Sequence, residues 1–151
     1  MTASNAARIA TLEANADIAP TMRWLSVLDN QTCVRCGARD GLEWDTKTKK
    51  PVGHDLAWQA PPLHVNCRCT TVPVTALSRE IEGGRASMFG VVSGKTTFGD
   101  FLKQRDVVFQ DKALGVDRAK IWRGKKLSLR DLVDASGREL TLDELRAKYS
   151  A

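Results

Sequence analysis

The sequence predicts an α+β fold in which a small β-hairpin module, stapled by cysteines, precedes a tail of short capped helices. Three observations lead there. All four cysteines fall into two tight pairs, Cys33 with Cys36 and Cys67 with Cys69. A β-patterned segment lies just before the first pair, and another just after the second. From Thr97 onward the register is helical, punctuated by Ser/Thr caps with an acidic residue three positions on and by glycines.

Residues 4–16 are alanine-rich, with Ile9, Leu12 and Ala16 at helical spacing. They predict a helix capped by Ser4 or Asn5 that stops before Pro20. Residues 21–28 alternate, placing Met22, Trp24, Ser26 and Leu28 on one face, and predict a strand. Asp29-Asn30-Gln31 supplies a turn. Gly37 and Gly41 break the chain around a short helical turn after Cys33-Val-Arg-Cys36. The polar stretch 45–53 predicts an exposed loop or hairpin tip. After Cys69, residues 70–74 are β-branched and predict a second strand. Its Pro73 confines it to an edge or a strand end. Antiparallel pairing of the two strands would bring the cysteine pairs together.

Residues 78–95 hold four glycines and little periodicity, and predict a flexible hinge with one brief strand at Met88–Val92. Thr97 with Asp100, Ser128 with Asp131 and Thr141 with Glu144 mark helix starts, and Leu114-Gly115 marks a helix end. The organisation is an N-terminal helix (1–20), a zinc-binding module of the four-cysteine type (21–77), a glycine-rich linker (78–96) and a helical C-terminal region (97–151).

The 151 residues suit one domain or one domain with an appendage, and 42% hydrophobic residues can build a core. No apolar run approaches the ~20 residues needed to span a bilayer, so no membrane partner is expected. Met1–Ala16 lacks the basic start and apolar core of a secretory signal. In a reducing cytoplasm four cysteines favour a metal over disulfides. Zinc takes four tetrahedral ligands, and two tight thiolate pairs supply them at small cost in chain entropy. His64, three residues before Cys67, could replace one thiolate, and His54 is a weaker substitute. The alternatives are a disulfide or simply buried thiols. Trp44 and Trp58 would cover the small metal core. Arg35 and Arg68 would pair with acidic groups or favour thiolates.

Four thiolates would close the coordination shell, so the zinc reads as structural and no residue is assigned to catalysis. His54-Asp55, His64 and Asn66 carry the alternative, a zinc-supported nucleic-acid-binding or HNH-like nuclease or toxin module. The net charge of +5 is unevenly spread. Arg118, Lys120, Arg123, Lys125, Lys126 and Arg130 form a basic run containing Trp122, suited to phosphate or to an acidic protein surface. Its bland reading is a solvated helix and turn with Trp122 packed inward beside Ile121.

The assembled residues resemble a known pattern. Trp24-Leu-Ser-Val-Leu-Asp29, Thr32-Cys33-x-x-Cys36, Asp40-Gly41 and Pro61-Pro-Leu-His64-x-Asn66-Cys67-Arg-Cys69 look like the signature of the Mu F-like phage head morphogenesis family, also called minor head or minor capsid proteins. The resemblance runs from about residue 8 to 74. Phe98-Gly-Asp-Phe-Leu-Lys103, Ala113-Leu-Gly115 and Thr141-Leu-Asp-Glu-Leu145 are similar to a C-terminal extension found in many members. The resemblance implies a low-copy structural protein of the virion, present in the host cytoplasm during assembly. Its implied partners are the portal or the major capsid protein and, in some members, packaged DNA. Members usually carry a long helical region before the signature, whereas here only about twenty residues precede Trp24.

Overall fold

In the computed structural model, which describes residues 3–64, 67–80 and 83–149, the alternating segment becomes strand β1, Thr21–Leu25. Met22 and Trp24 are fully buried. The strand stops at Leu25, short of the predicted Leu28, because the Ser26 N–H donates to the Asp40 carboxylate at 2.7 Å and leaves the ladder. Ser26 and Leu28 are still buried. Strand β1 lies between two antiparallel neighbours, β2 (Glu43–Asp45) and β4 (Thr70–Val74). Strand β3 (Pro51–Val52) completes a sheet of order β3-β2-β1-β4. Pro73 thus occupies an edge strand, where its missing N–H breaks no ladder. The polar stretch 45–53 is a hairpin, with the Asp45 carboxylate accepting from the backbone N–H groups of Lys47 and Thr48.

Helix α1 runs Ala3–Ala14 and buries Ile9 and Leu12, as their spacing requires. Ser4 and Asn5, the expected caps, lie within its span. Helix α2 (Val34–Arg39) starts at Cys33 and contains Gly37 instead of breaking there. A Cβ on Gly37 would overlap the Phe98 ring, so this glycine permits a close approach of helices.

The stretch predicted as a linker is built. Helix α3 (Ala76–Glu80) is followed by strands β5 (Gly84–Ser87) and β6 (Gly90–Ser93), paired antiparallel. The brief strand expected at 88–92 is instead the turn at Met88-Phe89 and the second arm. The hairpin is pinned by Arg85, which pairs with the buried Asp40 at 2.7 Å and donates to the Thr96 and Ser26 carbonyls.

The tail comprises α4 (Phe98–Lys103), α5 (Val107–Leu114), α6 (Val116–Gly124), a 3₁₀ turn at Leu129–Leu132 and α7 (Leu142–Tyr149). The predicted capping boxes at Thr97/Asp100 and Ser128/Asp131 are formed. Glu144 N donates to Thr141 Oγ1 as the third cap requires. Gly115, at φ 87°, closes α5. One cluster of buried side chains joins Trp24, Cys36 and Trp44 of the cysteine module to Phe98, Trp122 and Leu132 of the tail. The fold is α+β, with antiparallel sheets and several short helices. Among the described residues no helix is long and apolar enough to cross a membrane.

Candidate metal centre

The β1–β4 pairing sets the site. Its last pair, Leu25 with Thr70, places Ser26 beside Cys69 at the same end of the sheet. Cys33 stands at the N-cap of α2, and Gly37 N donates to its carbonyl at 2.8 Å, so Cys36 falls one turn further on the same side. Ser26 Oγ donates to the Cys36 carbonyl at 2.8 Å and lies 3.4 Å from Cys69 Sγ. Trp24 Nε1 donates to Ser26 Oγ at 3.1 Å. Cys67 N donates to the His64 carbonyl at 3.2 Å, which holds the histidine beside the second cysteine pair. Asp29 then ties the two halves of the centre together. Its carboxylate takes both Nη groups of Arg68, at 2.7 and 2.9 Å, and accepts from Gln31 N and Thr32 N.

The donor atoms form two groups that share Cys36: Cys33, Cys36 and His64, and Cys36, Cys67 and Cys69. His64 Nε2 lies 3.2 Å from Cys33 Sγ and 3.3 Å from Cys36 Sγ, and Cys36 Sγ lies 3.7 Å from Cys67 Sγ. A tetrahedral zinc with bonds of about 2.3 Å to sulfur separates its thiolates by about 3.8 Å, so the Cys36–Cys67 spacing fits an edge of that polyhedron. All four cysteines are free thiols, with Cys36 and Cys69 buried and Cys33 and Cys67 half-buried. His64 is exposed at the rim.

The electrostatics favour a cation. Hydrogen bonding from Cys36 pulls the Cys33 thiol down to about 5, with His64 assisting, and pulls Cys69 down to about 6. Cys36 is pushed strongly up, because its proton serves both neighbours. Thiolates gathered this closely repel one another, and a bound cation would remove that conflict. The space among the donors and their surrounding residues is about 10 Å³. That is room for an ion and no chamber for a substrate. These residues could hold a metal ion.

His54, the weaker substitute, is engaged elsewhere. Its Nε2 lies 2.8 Å from the Glu43 carbonyl, its Nδ1 accepts from Leu56 N, and its ring meets Trp44 edge-on. Asn66 lies outside the described residues. Trp44 and Trp58 pack on Trp24 behind the cysteines, and the Arg39 guanidinium sits 5.5 Å from the Trp24 ring and 5.6 Å from that of Trp44. Burial, assisted by the charge of Arg35, pulls Arg39 down to about 10.

The basic run divides into two sets. Arg118 pairs with Glu139, Arg123 with Asp111 and Arg130 with Asp55, so these three guanidinium groups hold the tail in place. Lys120, Lys125 and Lys126 are exposed. Trp122 is buried. Sequence reasoning missed Ser26 and the contacts of Asp29. Both lie inside the signature, but only pairing across the fold reveals their partners.

Residues 1–72 match the family model described as phage Mu protein F like protein. Over this span the chain is similar to that family. The match takes in α1, β1, both cysteine pairs and His64, and ends inside β4. The match agrees with the resemblance read from the sequence. The helical tail lies beyond the Mu F-like span. No curated protein and no solved structure gives a significant match to the chain.

Proposed function

We propose that this protein is a minor head component of a tailed phage or prophage, acting in head morphogenesis and carried in the virion. The observation that carries the reading is the family match over residues 1–72. In this reading zinc, held by Cys36 with partners among Cys33, His64, Cys67 and Cys69, is a structural staple that keeps the module rigid. The small donor space, about 10 Å³, supports a structural ion over a catalytic one. Both histidines have local roles, His64 beside the thiols and His54 on backbone groups, which speaks against a nuclease centre. The tail is the part that meets the portal or capsid protein.

Co-expression with the portal and major capsid proteins of the same phage tests the role. The protein is expected to co-sediment with assembled heads, and its complete exclusion from heads and portals would refute the reading. Elemental analysis after dialysis against a mild chelator tests the staple, with about one zinc per chain expected. Cys33→Ser and Cys69→Ser should each lower that content, and His64→Ala shows whether the imidazole takes the fourth place. DNA degradation that is lost in His64→Ala would favour the nuclease alternative.

A further inference from the structure

A cleft lies in the helical tail, away from the cysteines. It has a volume of about 470 Å³ and is lined by Lys103, Gln110, Trp122, Arg123, Lys126 and Leu127. Its floor is apolar, since Trp122 and Leu127 are buried members of the core. Its charged lining is entirely basic. Arg123 is held by Gln110 Oε1 at 3.1 Å and Asp111 Oδ1 at 3.0 Å, which fixes its guanidinium at the wall. Lys103 and Lys126 are exposed and make no ion pair among the described residues.

Two further features point to this place. The Trp122 indole N–H is buried with no hydrogen-bond partner, unusual for a group that ordinarily finds one. Lys126 has a left-handed backbone, φ 52°, just after α6, where glycine is the usual unstrained residue. Lys49 is the other described non-glycine residue with positive φ, and its ammonium pairs with Glu13. Lys126 adopts the same costly conformation and presents an unpaired ammonium at the mouth of a cleft. Backbone strain of this kind concentrates where a side chain must be aimed.

We infer that this cleft binds an acidic peptide segment of a partner protein, an apolar side chain entering above Trp122 and Leu127 while flanking carboxylates meet Lys103 and Lys126. An apolar floor ringed by cations suits such a segment better than a nucleic acid backbone, which needs a longer basic track and no apolar anchor. Lys120 and Lys125 do not line the cleft, so the basic surface does not act as one undivided patch. The inference rests on the reading of the tail as a protein-contacting region and is independent of the metal.

The test uses the full chain and a fluorescent synthetic peptide with two glutamates flanking a leucine, read by anisotropy. The peptide is expected to bind, and its glutamine counterpart to bind much more weakly. Lys103→Gln and Lys126→Gln should each weaken binding by up to about fivefold, the upper range for an exposed ion pair. Lys126→Gly preserves the left-handed turn while removing the charge, and should weaken binding equally without loss of melting temperature. Lys120→Gln with Lys125→Gln should leave binding within about twofold. Equal binding of both peptides, equal effects of lysines inside and outside the cleft, or duplex DNA binding through Lys103 and Lys126 with no peptide bound would each overturn the inference. Co-sedimentation of the Lys103→Gln/Lys126→Gln variant with heads would show separately whether the head assignment survives such a failure.

Discussion

The carboxylate of Asp40 accepts from Ser26 N, Phe98 N and both Nη groups of Arg85, at 2.7–2.8 Å, with its side chain wholly out of solvent. It therefore joins the end of β1, the end of α2, the β5–β6 hairpin and the start of α4. Removing one partner of a buried pair leaves the other charge uncompensated, so Asp40→Ala is expected to cost about 3–5 kcal/mol, measured by urea unfolding. Double replacement of Asp40 and Arg85 by apolar residues should recover part of that loss. Asp29 acts at the surface. Burial alone would raise its pKa, but hydrogen bonds from Arg68, Gln31 and Thr32 outweigh it and hold the carboxyl below its usual value. A carboxyl with a lowered folded pKa stabilises above the unfolded value, about 3.9, and loses that contribution as pH falls through the folded pKa. The melting difference between the wild type and Asp29→Asn should thus be present at pH 6, correspond to at most about 1 kcal/mol, and shrink as the pH falls below the unfolded value.

At the scale of elements, α2 and α4 meet through Gly37. Any side chain there must displace the Phe98 ring, which is fully buried against Phe101 at a centroid distance of 6.2 Å. Gly37→Ala is expected to destabilise by about 1–3 kcal/mol, the range for overpacking a filled core, although alanine is intrinsically the better helix residue. A stability gain in thermal melting would show that the helices can separate freely. The capping boxes make a smaller, local contribution. Thr97→Ala removes the acceptor for Asp100 N and should cost about 1 kcal/mol.

The two halves of the molecule share one core, so they are expected to lose structure together. Trp24 and Trp44 report on the cysteine module, while Phe98, Leu132 and Leu145 belong to the tail, and all are fully buried in the same cluster. Removal of the proposed zinc by a strong chelator should lower the melting temperature by on the order of 10 °C, as the loss of a few kcal/mol does in a domain of this size. Hydrogen exchange should then rise at α4 and the 3₁₀ turn as well as around the cysteines. Increased exchange confined to residues 24–74 would show that the halves unfold independently.

Local signals were legible in the sequence because their physics is local. The three caps in the tail, the glycine stop at Gly115, the alternation around Met22 and Trp24, and the edge position of a strand containing Pro73 each depend on a few adjacent residues. The cysteine pairs were equally plain, since ligand spacing is a property of the chain. Partners distant in sequence were a different matter. The glycines between residues 83 and 94 predicted freedom, whereas Arg85 finds a buried carboxylate 45 positions earlier and turns the stretch into a docked hairpin. Gly37 looked like a helix breaker until Phe98, 61 residues away, came to lie against it. Nor could a run of six cations reveal which would fold back onto Asp55, Asp111 and Glu139 and which would stay in water. The sequence by itself determined the α+β class, the metal-capable residues and the helix ends; the tertiary structure alone decided the shared core, the buried Asp40–Arg85 pair and the basic cleft, because each depends on contacts that exist only once distant segments have packed.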